Sequence, residues 1–177
     1  CNGEIYNYKE LIKEFSLESV YHSGSDCEVL LHLYHKIGFE AMLKKLRGVF
    51  AIVLLDKKQR KVFIARDRIG VRPLFIGEDV DTSRLDDPSH SDDLACSSTN
   101  LIGIASEAKA LKFLCNVRQF PPAHFGSFTI RADGTLQDFT TEPYWSLSSI
   151  APTIFSREDA IRLMKQKFEE AVEVRLK

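Results

Sequence analysis

A chain of 177 residues, 44% of them hydrophobic and twelve of them Phe, can bury one sizeable core. Its 24 basic and 25 acidic residues are interleaved and leave a formal net charge of -1, so the electrostatic footprint of a general nucleic-acid binder is missing. No apolar run approaches a bilayer span, no leader pattern precedes a cleavage site, and Cys1, Cys27, Cys96 and Cys115 form no C-x-x-C pair, which together predict a cytoplasmic domain with reduced thiols, no membrane association and no nucleic-acid partner.

In chain order, residues 2–7 read as a strand end and turn, and YKELIKEF as a short helix with Leu11, Ile12 and Phe15 inward. Ser25 and Glu28 have the spacing of a capping box in front of VLLHLYHKIG, with Gly38 as its stop. FEAMLKKL continues as a third short helix. VFAIVLLD, the turn KKQR and the alternating KVFIARD predict a hairpin. Its first strand is apolar on both faces, which predicts a sheet covered on both sides.

Beyond VRPLFIG, residues 78–100 are acidic, Ser-rich and poor in large apolar side chains, and so are predicted to form a surface insertion. LIGIAS restores strand character, EAKALKFL predicts a helix, and HFGSFTIRADGTLQDF a hairpin turning at Asp133-Gly134. Residues 146–155 read as a linker into a last amphipathic helix, where Ile161, Met164, Phe168 and Val172 recur at helical spacing and need a partner. The chain lacks an initiator Met and its last helix runs on without a stop signal, leading us to expect a piece of something longer.

Cys1 could be an N-terminal nucleophile with its own α-amino base. Strand alternation, however, sends its thiol and the Asn2 amide to opposite faces, which favours an ordinary strand residue. Asn2-Gly3 offers an amide and a backbone N–H suited to an oxyanion, or simply a turn. Glu28, His32 and His35 can share a helix face in a metal-like way, but histidines on a partly buried face are more often structural, and no metal is expected. Cys27 sits where a helix N-terminus can lower a thiol pKa, although it reads better as a bystander. RDRIGVRPLF lacks P-loop glycine spacing, so Arg66, Asp67, Arg68 and Arg72 are expected to organise a turn.

Taken together, NGEIYNYKEL, GSDCEVLLHLYHKIGFEAMLKKLRGVFAIVLLD, VFIARDRIGVRPLF and ASEAKAL resemble, in order, the class II glutamine amidotransferase domain of the glutamine-hydrolysing asparagine synthetases. Other class II amidotransferases share the N-G-E element but match GVRPLF and SEAKAL less well. The resemblance implies an α+β fold, the four-layer αββα sandwich of N-terminal-nucleophile amidotransferases, here missing its first strands and helix. It implies an amidotransferase domain over residues 1–145 and, over 146–177, a linker and first helix leading into an absent synthetase domain.

The same resemblance implies Asn2 and Gly3 as the oxyanion hole, Asn2, Gly3 and Glu4 lining a glutamine pocket, and Asp26 as the carboxylate for the glutamine ammonium. A helix-end role for Asp26 is the plainer local reading. The family's nucleophile belongs to a Met-Cys-Gly-Ile opening and its substrate-carboxylate arginine to an R-H-R-G-P-D segment. Neither is in this chain, so Cys1 matches a strand residue and the chain alone is expected to be inactive. The resemblance implies no cofactor for this domain, ATP and Mg²⁺ for the synthetase domain, glutamine as substrate, and compatibility with a homodimer. A non-catalytic regulatory or scaffolding module with the same pocket is the alternative.

Overall fold

The computed structural model describes residues 1–78, 101–114, 116–149, 153 and 155–176. Residues 79–100, most of the predicted insertion, lie outside the described residues. The chain folds as two compact units, one of Cys1–Asn2 and Phe50–Pro143, the other of Gly3–Val49 and Tyr144–Lys177. Helix and antiparallel sheet are mixed, which is the α+β class expected.

In the first unit, β2 (Gly48–Asp56, entering the unit at Phe50) and β3 (Lys61–Arg66) form the predicted hairpin, with Ala51 opposite Arg66 and Asp56 opposite Lys61. β7 (His124–Ile130) pairs with β3, and β8 (Leu136–Pro143) with β7, with an irregularity between Ser127 and Thr129. A second sheet has the order β5-β4-β6, from β4 (Phe75–Glu78), β5 (Ile102–Ala105) and β6 (Asn116–Gln119). Glu78, expected to open the insertion, instead ends β4 and pairs with Arg118 at 2.7 Å.

Ala51, Ile64, Leu74, Ile76, Phe120 and Phe128 form the core of this unit, and Phe139 stacks on Phe128 with centroids 4.4 Å apart. β2 is covered on both faces over its first half, where Phe50 and Ile52 are buried on one face and Ala51 on the other, and on one face only towards its end. Ile52 and Leu54 are buried, but Val53 and Leu55 on the opposite face are about half exposed, at 48% and 52%. The segment expected as a helix after β5 is a single 3₁₀ turn, Ala108–Leu111. Gly77 and Gly103 pair across β4 and β5, and the flat spot they leave is filled by Leu111 and Leu114, which share one face at the three-residue period of that turn.

Asp67 and Arg66 build the turn after β3. The Asp67 carboxylate accepts backbone N–H bonds from Ile69, Gly70 and Val71 on one oxygen and from Phe50 and Arg72 on the other. The Arg66 guanidinium donates to the carbonyls of Gly70, Arg72 and Phe120. Gly70 is left-handed at φ +75, and a Cβ there would meet Pro122 and Arg66.

The second unit begins with β1 (Asn2–Ile5), entering it at Gly3, and holds α1 (Tyr8–Glu14), α2 (Glu28–Ile37), α3 (Phe39–Lys45) and α4 (Arg157–Arg175). Leu11 of α1, Val29 and Leu33 of α2, and Met42 and Leu43 of α3 are buried, one apolar face on each helix. Of the three residues expected inward on α1, Leu11 is buried, while Ile12 and Phe15 are half-buried. Gly38, at φ +79, closes α2 through its N–H to the Tyr34 carbonyl and opens α3 through its own carbonyl to Met42. Ser156 caps α4 by accepting from Asp159 N–H at 3.1 Å. No residue of α4 is buried, and Ile161, Met164 and Phe168 stand 58%, 70% and 71% exposed, the unpartnered stripe anticipated. Among the described residues no helix is long and apolar enough to cross a membrane.

Candidate functional site

The site starts from how β1 is pinned. Gly48 approaches β1 so closely that a Cβ there would stand 2.1 Å from the Glu4 carbonyl oxygen. Tyr6 N–H donates to the Arg47 carbonyl at 2.8 Å. The Asn7 side chain closes the turn, donating to the Lys45 carbonyl at 3.0 Å and accepting from Arg47 N–H at 2.9 Å. Both hydrogen-bonding ends of this buried amide are therefore used.

Asp26 reaches the same strand. Its Oδ2 accepts the Ile5 backbone N–H at 2.6 Å, across twenty-one residues of sequence. It lies two residues before α2, so the helix-end reading does not describe its main contact. A carboxylate has about four acceptor positions, and one N–H leaves room for an ammonium on the other oxygen. The half-buried thiol of Cys27 is the neighbour of Asp26 in the chain. Burial first, and then the Asp26 charge, push its pKa up rather than down, as the first-turn position had suggested.

A cavity of about 270 Å³ opens here, lined by Glu4, Ile5, Tyr6 and Tyr8 from the start of the unit, by Gly24, Ser25 and Asp26, and by Val174 and Arg175 at the end of α4. Two of the four sequence-derived residues, Glu4 and Asp26, thus share one cavity, with Gly3 directly preceding Glu4. Arg175 stands over the Tyr6 ring at 5.1 Å and donates to the Ala171 carbonyl. This contribution of α4 was not anticipated. Only its fold, and no motif, places it there.

Asn2 is exposed, and its Nδ2 donates to Ser106 Oγ at 3.1 Å. A primary amide carries two N–H donors, so this bond can fix the side chain while one donor remains. Ser106 was also missed, although it lies inside the ASEAKAL string.

The capping box expected at Ser25 and Glu28 does not form. The residue preceding α2 is Cys27, without a side-chain cap, and the Glu28 carboxylate turns back on the loop before it. It accepts from His22 N–H at 2.9 Å, from Ser23 N–H at 2.6 Å and from the Ser23 hydroxyl. These bonds, the Ser23 hydroxyl foremost, lower the Glu28 pKa to about 2. His32 contacts Glu28 at 3.3 Å, while His35 lies beside the Tyr34 ring at 5.7 Å. Among the described residues no three His, Cys, Asp or Glu side chains converge as a metal site.

Residues 1–145 match the family model described as a glutamine amidotransferase domain. Over 99% of the chain, the sequence is 33% identical to an asparagine synthetase [glutamine-hydrolyzing] of Gallus gallus and 35% identical to one of Sandersonia aurantiaca. It spans 31% and 28% of the length of these two proteins. A probable asparagine synthetase [glutamine-hydrolyzing] of Acanthamoeba polyphaga mimivirus is 43% identical over 63% of this chain and 17% of its own length. Among solved structures, glutamine phosphoribosylpyrophosphate amidotransferase from B. subtilis superposes with a TM-score of 0.56 at 22% identity, over 81% of this chain and 28% of that one, which is a likeness of fold.

Proposed function

The chain belongs to the glutamine amidotransferase domain family, and from that premise we propose that it binds L-glutamine as the glutaminase half of a glutamine-hydrolysing asparagine synthetase. The ammonia released would serve ATP-dependent conversion of aspartate to asparagine in a synthetase domain of the same protein. Names and coverage of the relatives support this reading, since this chain spans only 31% and 28% of their length.

The observation that carries it is the placing of Asp26 and Glu4 on one cavity beside the N-G-E strand. An α-ammonium needs an anion that is itself held in place, and the Ile5 N–H holds Asp26. In this reading the Asn2 amide, steadied by Ser106, and the Gly3 N–H are the donors for the oxyanion formed as the side-chain amide of glutamine is attacked. Preorganised donors stabilise developing charge without reorganising at the moment of reaction. Glu4 borders the cavity as a further acceptor for a bound amino acid.

Titration of the chain with L-glutamine by calorimetry tests the proposal, with L-leucine as a competitor of similar size lacking the amide. Saturable binding of L-glutamine that L-leucine does not displace is expected. No binding, or equal binding of both, refutes it.

A further inference from the structure

The loop that carries Asp26 is held by a residue outside the set derived from sequence. We propose that Glu28 is a positioning residue for the cavity, gathering the backbone of residues 22 and 23 so that Gly24, Ser25 and Asp26 present a fixed rim to the bound amino acid. This inference rests on the glutamine-binding reading above.

Packing does not fix that rim. Residues 22–25 are exposed, and Gly24 turns at φ +73 with nothing within 4 Å of where a Cβ would stand. What restrains the segment is a pair of carboxylates. Asp26 ties its end to β1 through Ile5 N–H, and Glu28 ties its beginning through His22 N–H, Ser23 N–H and the Ser23 hydroxyl. Ser23 Oγ in turn accepts Ser25 N–H at 3.2 Å, which carries the restraint into the lining residues. Glu28 is a secure anchor because it stands on the first turn of α2, next to the buried Val29 and Leu30, with His32 one turn on at 3.3 Å.

The acceptor demand is specific to a carboxylate. Oε1 receives His22 N–H and the His32 contact, while Oε2 receives the Ser23 N–H and hydroxyl. A glutamine at this position has one oxygen and must turn its NH₂ towards one set of donors. The rim then has to be ordered when ligand binds, a cost that appears as weaker affinity.

The test compares Glu28→Gln and Ser23→Ala with the wild-type chain, measuring L-glutamine affinity by calorimetry, amide hydrogen exchange at residues 22–25, and Tm. Glu28→Gln is expected to weaken L-glutamine about tenfold and to lose exchange protection at His22 and Ser23, with a Tm change of no more than about 4 °C. Ser23→Ala, which keeps the backbone bonds, is expected to weaken binding about threefold and provides the comparison if Glu28→Gln fails to fold. Unchanged affinity in both variants overturns the proposal, as does retained protection at His22 and Ser23 in Glu28→Gln. If the wild-type chain binds no L-glutamine, the functional reading fails. The exchange result then decides the clamp by itself, with loss of protection supporting it and retention overturning it.

Discussion

Replacing Asp67 by Asn should destabilise the chain more than any other isosteric change in the first unit. The carboxylate is 1% exposed and takes five backbone N–H bonds, three on Oδ1 (Gly70 at 2.7 Å, Val71 at 3.0 Å, Ile69 at 3.1 Å) and two on Oδ2 (Arg72 at 3.0 Å, Phe50 at 3.2 Å). Whichever way the new amide is turned, at least two of these donors lose their acceptor and face an NH₂ group. A hydrogen bond to a charged group contributes about 1.5–3 kcal/mol, so the loss of two costs about 3–6 kcal/mol. At roughly 2–4 °C per kcal/mol for a chain of this size, the Tm should fall by roughly 6–24 °C. Urea unfolding followed by circular dichroism and by Trp145 fluorescence, at matched m values, measures the difference. A change below about 1 kcal/mol would refute the claim that this carboxylate organises the turn.

The Tyr21 hydroxyl is buried without a hydrogen-bond partner among the described residues, so Tyr21→Phe should stabilise the chain by up to about 1 kcal/mol. A loss of stability in thermal unfolding would show that the hydroxyl is bonded. Glu28 titrates at about 2 against an ordinary value of 4.5. Because its folded value is lowered, its contribution is complete above the ordinary value and disappears as pH falls towards about 2. Carboxyl-carbon NMR should place its midpoint well below those of the exposed glutamates, and a midpoint near 4 would contradict the bonds to residues 22 and 23. Gly48→Ala forces a Cβ to within 2.1 Å of the Glu4 carbonyl and should cost about 1–3 kcal/mol in urea unfolding. An unchanged midpoint would mean that β1 gives way without penalty.

Features written in local periodicity were legible in the sequence. The β2–β3 and β7–β8 hairpins, the Gly38 helix stop and the exposed apolar stripe of α4 follow from alternation, turn residues and helical spacing. What failed depended on competition between partners. Glu28 has the spacing for a capping box, but the backbone of residues 22 and 23 offers it more donors than Ser25 does. The helix expected from EAKALKFL shrank to one 3₁₀ turn because the Gly77–Gly103 flat spot selects Leu111 and Leu114 together. β6 carries only one strongly apolar residue, Val117, and gave no strand signal. It is recruited by pairing with β4. Within the site, Asp26 and Glu4 were reached through the family's motif. Ser106 and Arg175 lie on remote elements, and no local pattern reports such proximity.

Asp26 is the position on which the account depends. The most direct measurement is the activity of Asp26→Asn in the full-length synthetase that we propose carries this domain, driven either by glutamine or by added ammonia. An unpaired ammonium should cost on the order of 2–4 kcal/mol, a 30- to 1,000-fold fall in glutamine-dependent kcat/KM, while ammonia-dependent synthesis stays within about twofold of wild type. If the variant uses glutamine as well as before, or loses both activities equally, Asp26 does not hold the glutamine ammonium and the account of the site is wrong.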